Sequence, residues 1–154
     1  NTVMNGFTKP YEIYNVDGVK IGVYGLGIEL EGLVAKKLFK ETVYLNPFEI
    51  AQDTERKLKE DEKCDIDICL SHLGYQYESN KPDDLKLAAN TKYTNLIIGG
   101  HTHTFLDKPT TAKNSVDVDV LVNQVGCYGV NLGRIDFYFD NKNNISADGV
   151  SIAV

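Results

Sequence analysis

Short apolar runs recur along this chain, each closed by a glycine, an asparagine or a charged turn, and their spacing predicts the elements. Tyr11 to Tyr24 reads as a hairpin. Strand-like residues surround Ile13, Asp17-Gly18 is a tight-turn signal, and Val19 to Tyr24 continues as the second strand. Gly25 and Gly27 then break the run, and Leu30 to Leu38 supports no more than a short helix. Asn46 to Lys63 is the clearest helix: Asn46 suits the N-cap, Pro47 the first helical position and Glu49 the capping box. Phe48, Ala51 and Leu58 can share its apolar face. Asp65 to Leu70 reads as a strand with Ile66, Ile68 and Leu70 alternating, followed by a polar loop from Ser71 to Asn80. Pro82 to Ala89 reads as a short helix with two aspartates in its first turn, and Thr94 to Ile98 as the next strand.

Helix, strand, helix, strand in this order predicts a right-handed βαβ crossover with parallel strands. Ligands bind such sheets at the carboxyl ends of the strands. Beyond Thr104 the character changes. Val116, Val118, Val120 and Val122 alternate with polar residues, as do Ile135, Phe137 and Phe139; Asp140 to Asn144 reads as a polar turn, and Val150 and Ile152 as a last strand. That half predicts antiparallel pairing, so the fold class is α/β with a mixed sheet. No internal repeat, low-complexity segment or linker interrupts it.

The chain has 154 residues, enough to bury roughly 70% of the surface its unfolded form exposes. A net charge of −6 argues against nucleic acid or an anionic membrane as the main partner. A phosphorylated small molecule stays possible, because a bound metal reverses the local field. Cys64, Cys69 and Cys127 form no Cys-x-x-Cys pair and no disulfide framework, and Cys69 reads as a core residue. No run reaches the ~20 apolar residues of a membrane helix. The chain opens Asn1-Thr2-Val3 with neither methionine nor signal peptide, as a processed or excised piece would.

All three histidines follow apolar runs: His72 in Leu70-Ser71-His72-Leu73-Gly74, and His101 and His103 in Gly99-Gly100-His101-Thr102-His103-Thr104. The crossover brings both loops to one sheet edge, where imidazoles with fixed tautomers suit divalent metals. One zinc site with three histidines and a water is one arrangement. Against it, residues at i and i+2 of an extended loop point apart, so His101 and His103 are expected to serve different ions. A two-metal site needs bridging carboxylates, with the ions about 3.5–4 Å apart. Asp65 and Asp67 stand at the wrong end of their strand to bridge, Asp107 near His103 reads as a solvated loop carboxylate, and no catalytic or cofactor-binding residue is identifiable. Gly25-Leu26-Gly27 resembles a dinucleotide loop only weakly and reads as a turn. Ser71, Thr102 and Thr104 read as supports for the histidines, while Tyr75 and Tyr77 suit either base stacking or loop packing.

The two histidine loops together resemble the metallophosphoesterase (calcineurin-like) domain of the bacterial 5′-nucleotidase family. Val19-Lys20-Ile21-Gly22-Val23-Tyr24-Gly25-Leu26 is similar to the family's central strand, Asn46-Pro47-Phe48-Glu49 to the start of its next helix, and Asn131-Leu132-Gly133-Arg134-Ile135-Asp136 to its closing strand. The resemblance implies a four-layer α/β/β/α sandwich that hydrolyses phosphate esters such as nucleotides with two divalent ions (Zn, Mn, Mg, Ca or Fe). Residues 1–154 would be the C-terminal part of that domain. The family's Asp-x-His, Gly-Asp and Gly-Asn-His motifs, which supply the bridging aspartate, an asparagine ligand and a transition-state histidine, are missing here. By the same resemblance His72 and His101 bind one ion and His103 the other, and the isolated chain is inactive. A half sandwich also exposes a sheet face, so the chain should pair with the missing N-terminal half or self-associate. An extracytoplasmic, periplasmic location follows from the family. Two other readings keep the fold: an enzyme for cyclic nucleotides, other phosphate esters or sulfur analogues, and a degenerate binding or scaffold protein.

Overall fold

The computed structural model describes residues 6–140 and 144–154. Asn1-Thr2-Val3 and the middle of the Asp140–Asn144 turn lie outside the described residues. Six strands form the main sheet: β1 (Tyr11–Val16), β2 (Val19–Leu26), β3 (Ile66–Ser71), β4 (Leu96–Ile98), β5 (Thr110–Lys113) and β6 (Asp119–Asn123), in the order β1-β2-β3-β4-β6-β5. Strands β2, β3, β4 and β6 run parallel, and β1 and β5 close the edges antiparallel. A second, two-stranded sheet pairs β7 (Asn131–Phe139) with β8 (Ile145–Ala153).

The first hairpin forms as expected. Asp17 and Gly18 both take positive φ (49° and 88°), matching the twist of the flanking strands. Gly25 does not break β2, which continues to Leu26 and pairs with Leu70 and Ser71. Helix α1 (Lys36–Phe39) keeps only one turn of the short helix expected there. Helix α2 (Pro47–Arg56) starts on Asn46, whose side chain accepts the Phe48 N–H at 3.0 Å, and widens into a π-helical turn at Lys57–Asp61. Helix α3 (Asp84–Asn90) starts two residues later than expected. Asp83 is its N-cap, accepting the Lys86 N–H at 2.7 Å, and Asp84 is buried.

The helices cover one sheet face. Tyr24, Cys69, Ile97, Val120 and Val122 point toward Ala51, Leu58, Leu87 and Ala88, and form the core. The expected triplet Ile66, Ile68 and Leu70 occupies the opposite face, because Asp67, Cys69 and Ser71 are the residues facing the helices. There β7–β8 covers the amino half of the strands: Phe137, Ile145 and Ala147 share a cavity of about 170 Å³ with Asn95, Thr111 and Leu121. The carboxyl half is uncovered. Ile66 and Leu96 are 2% exposed, whereas their strand partners Leu70 and Ile98, adjacent in register, are 48% and 42% exposed.

Two features of the second half depart from expectation. Val116 and Val118 lie outside β6 and are exposed, because the Asn114 side chain accepts both their N–H groups and bends the chain into a turn. Strand β6 then joins the main sheet parallel to β4, with β5 folded back on it.

Candidate metal centre at the carboxyl edge

Strands β3 and β4 end side by side, with Leu70 opposite Ile98, so the loops that follow emerge together. His72 leaves β3 with its N–H bonded to the Leu26 carbonyl at 2.9 Å. Its imidazole stands 5.3 Å, centroid to centroid, from that of His101, at an interplanar angle of 68°. His103 lies elsewhere on the loop, its ring 6.3 Å from that of Tyr128. Among the described residues no three His, Cys, Asp or Glu side chains converge as a metal cluster, so a single three-histidine site is not formed.

The loop is not extended. His101 and His103 both take positive φ (71° and 52°), a conformation disfavoured for side chains with a Cβ. The double glycine answers a steric need. A Cβ on Gly99 would collide with the Asp84 carboxylate, and one on Gly100 would sit 3.1 Å from His72 Nδ1. Glycine is therefore what allows the strand end to pass over Asp84 and against His72. Burial, and then the positive potential of His72, Lys81 and His103, holds His101 below the ordinary 6.5 of histidine, in the neutral form that ligates metal. A close pair of imidazoles fits nitrogen ligation of one divalent ion, and His103 can serve a neighbouring one.

Ser71, Thr102 and Thr104 act as supports. Ser71 is buried and donates to Asp84 Oδ1 at 2.5 Å while accepting the Leu73 N–H. Burial pushes the Asp84 carboxyl up to about 6. Tyr75 and Tyr77 serve loop packing. The Tyr75 hydroxyl meets Thr110 Oγ1 at 2.7 Å, and that of Tyr77 donates to the Leu73 carbonyl. Gln124, which the sequence reading missed, is 2% exposed and holds the 99–104 loop from below. Its Nε2 donates to the Gly100 carbonyl, and its Oε1 accepts from Thr102 Oγ1 and Thr104 N. A glutamine closing a buried valine strand was the available signal. Tyr128, also missed, is 92% exposed beside His103.

No protein-family model matches the chain. It is 37% identical over 145 residues, 94% of its length, to the trifunctional nucleotide phosphoesterase YfkN of Bacillus subtilis, of which it spans 9%. It is 30% identical over 151 residues to the 5′-nucleotidase of Vibrio vulnificus, covering 85% of this chain and 27% of that one. Among solved structures, the 5′-nucleotidase precursor of Thermus thermophilus superposes with a TM-score of 0.82 at 28% identity, over 97% of this chain and 31% of that one. The calcineurin-like phosphoesterase YfkN structure gives 0.68 at 25% identity, over 94% and 50%. The chain thus spans less than a third of these curated relatives. By this identity over most of its length and by this superposition, the chain belongs to the 5′-nucleotidase family of calcineurin-like phosphoesterases.

Proposed function

We propose that the protein carrying this sequence is a metal-dependent phosphoester hydrolase of 5′-nucleotidase type, in which His72 and His101 ligate one divalent ion and His103 the other. The observation that carries this reading is the His72–His101 imidazole pair, 5.3 Å apart at the carboxyl edge of a parallel sheet. Bound divalent ions supply Lewis-acid polarisation of the phosphoryl group and an attacking water of lowered pKa. This chain's part is to hold the imidazoles at fixed spacing on a shared edge.

These residues provide two ligands to the first ion and one to the second. The remaining ligands, a bridging aspartate among them, come from a further part of the domain, which packs over Leu70 and Ile98. The 154-residue chain by itself is then inactive or nearly so. The substrate is a nucleotide or another small phosphate ester, and the protein works outside the cytoplasm, which suits a family that includes a precursor and snake venom enzymes. No helix among the described residues is long and apolar enough to cross a membrane.

The test is inorganic phosphate release from a nucleoside 5′-monophosphate. The full-length protein should turn over, stop with chelator and resume with added divalent metal, and His101→Ala should lower kcat/KM by roughly 100-fold or more. Chelator-resistant turnover, or a His101→Ala enzyme of full activity, would contradict the reading.

A further inference from the structure

The Thr102 hydroxyl occupies the one point where three strand ends meet. It lies 3.0 Å from the Tyr75 N–H of the His72 loop, 3.1 Å from Gln124 Oε1 beyond β6, and 2.9 Å from Thr104 Oγ1 of its own loop. A hydroxyl has one proton and two lone pairs. Tyr75 N–H can only donate, and Gln124 Oε1 can only accept. The Thr102 proton therefore goes to Gln124, and the Thr104 hydroxyl must donate to Thr102. Gln124 is fixed in turn, because its Nε2 donates to the Gly100 carbonyl at 2.9 Å.

The methyl group of Thr102 is seated as well. It fills the notch left by Gly74, where a Cβ would approach Thr102 Cγ2 to 2.9 Å; Gly74 has φ +102°. Thr102 thus touches the His72 loop twice, by hydroxyl and by methyl, while standing next to His101 in sequence. Two imidazoles can share an ion only if each nitrogen comes within about 2.0–2.1 Å of it, a tolerance far smaller than the drift of an unpinned loop.

We propose that Thr102 is a positioning residue that, through Tyr75 and Gln124, sets the spacing of His72 and His101 for metal binding. The inference rests on the reading of those histidines as ligands. Thr102 is exposed, so its substitution leaves the core intact. T102V keeps the methyl and removes the hydroxyl; T102S keeps the hydroxyl.

The experiment is a Co²⁺ titration of the metal-depleted full-length protein, followed by visible absorption, alongside thermal unfolding without metal. T102V should weaken the His72-dependent ion roughly 10- to 100-fold, T102S should stay within about threefold of wild type, and the three metal-free midpoints should agree. Wild-type affinity in T102V, with H72A losing an ion, would overturn the proposal and leave the ligand assignment standing. A T102V protein whose metal-free midpoint falls together with its affinity would also overturn it, making Thr102 a general stability residue. No binding by wild type, or no loss in H72A, would overturn the ligand assignment itself and the proposal with it.

Discussion

Glu55→Ala is expected to destabilise the fold by about 3–5 kcal/mol, lowering the thermal midpoint by roughly 10 °C in a chain of this size. Glu55 lies on the apolar face of α2, one turn after Ala51, and is 2% exposed. Its carboxylate is fully used. Oε1 accepts the Lys92 N–H at 2.8 Å, and Oε2 accepts the Tyr93 N–H, the Thr94 N–H and the Thr94 hydroxyl at 2.9–3.0 Å. The Thr94 proton being committed to Glu55, the buried Tyr24 hydroxyl donates to Thr94 Oγ1 at 2.8 Å. One side chain thereby ties α2 to β2 and to the turn that launches β4, the strand that leads into Gly99 and His101. Alanine would strand these donors in the interior. Glu55→Gln presents an amide nitrogen to one of the N–H groups and should lose about 1–2 kcal/mol. Urea or thermal unfolding of both variants checks the order; an alanine variant as stable as wild type would refute the bracing role.

The second large effect is a pH dependence centred on Asp67. It is 1% exposed on the helix-facing side of β3, and neither carboxylate oxygen has a hydrogen-bond partner among the described residues. Burial raises its carboxyl from the ordinary 3.8 to about 7, against the attraction of Lys59. The folded chain therefore keeps a proton that the unfolded chain has released. Asp67's contribution to stability is therefore full below pH 3.8 and is lost as pH rises from there through 7, by about 4 kcal/mol in all. Asp67→Asn removes the ionisation. Its stability relative to wild type should grow steadily between about pH 4 and 8, the reverse of the usual carboxylate pattern. Parallel profiles for variant and wild type across that range would show that Asp67 does not titrate on unfolding.

Much of the frame was legible because it rests on local chemistry. Asp17-Gly18 fixes its turn by backbone conformation, Asn46-Pro47 starts α2 by capping, and the histidines follow strand-like runs in a crossover whose handedness is general. The misreadings came where side chains act over longer range. Thr110–Lys113 carries no apolar alternation, yet becomes β5 because β6 offers it an open edge. Val116 and Val118 alternate like a strand, but Asn114 captures their amides. Ile66, Ile68 and Leu70 alternate as expected, but that pattern does not say which face meets the helices, and it is Asp67, Cys69 and Ser71 that do. At the site, the histidines announce themselves by type, whereas the His72–His101 pairing follows from the register of Leu70 with Ile98, which no local pattern encodes. Gln124, Thr102 and Asp84 act through hydrogen bonds between segments distant in sequence, and only the folded chain shows them together.

The central claim is that the three histidines are divided between two ions. Its most direct test is the metal content of the full-length protein and its His72→Ala, His101→Ala and His103→Ala variants, measured at limiting free metal. His72→Ala and His101→Ala should each lose the same single equivalent, with no further loss when they are combined, and His103→Ala should lose a different one. Loss of one common equivalent in all three variants, or unchanged content in all three, would contradict the account.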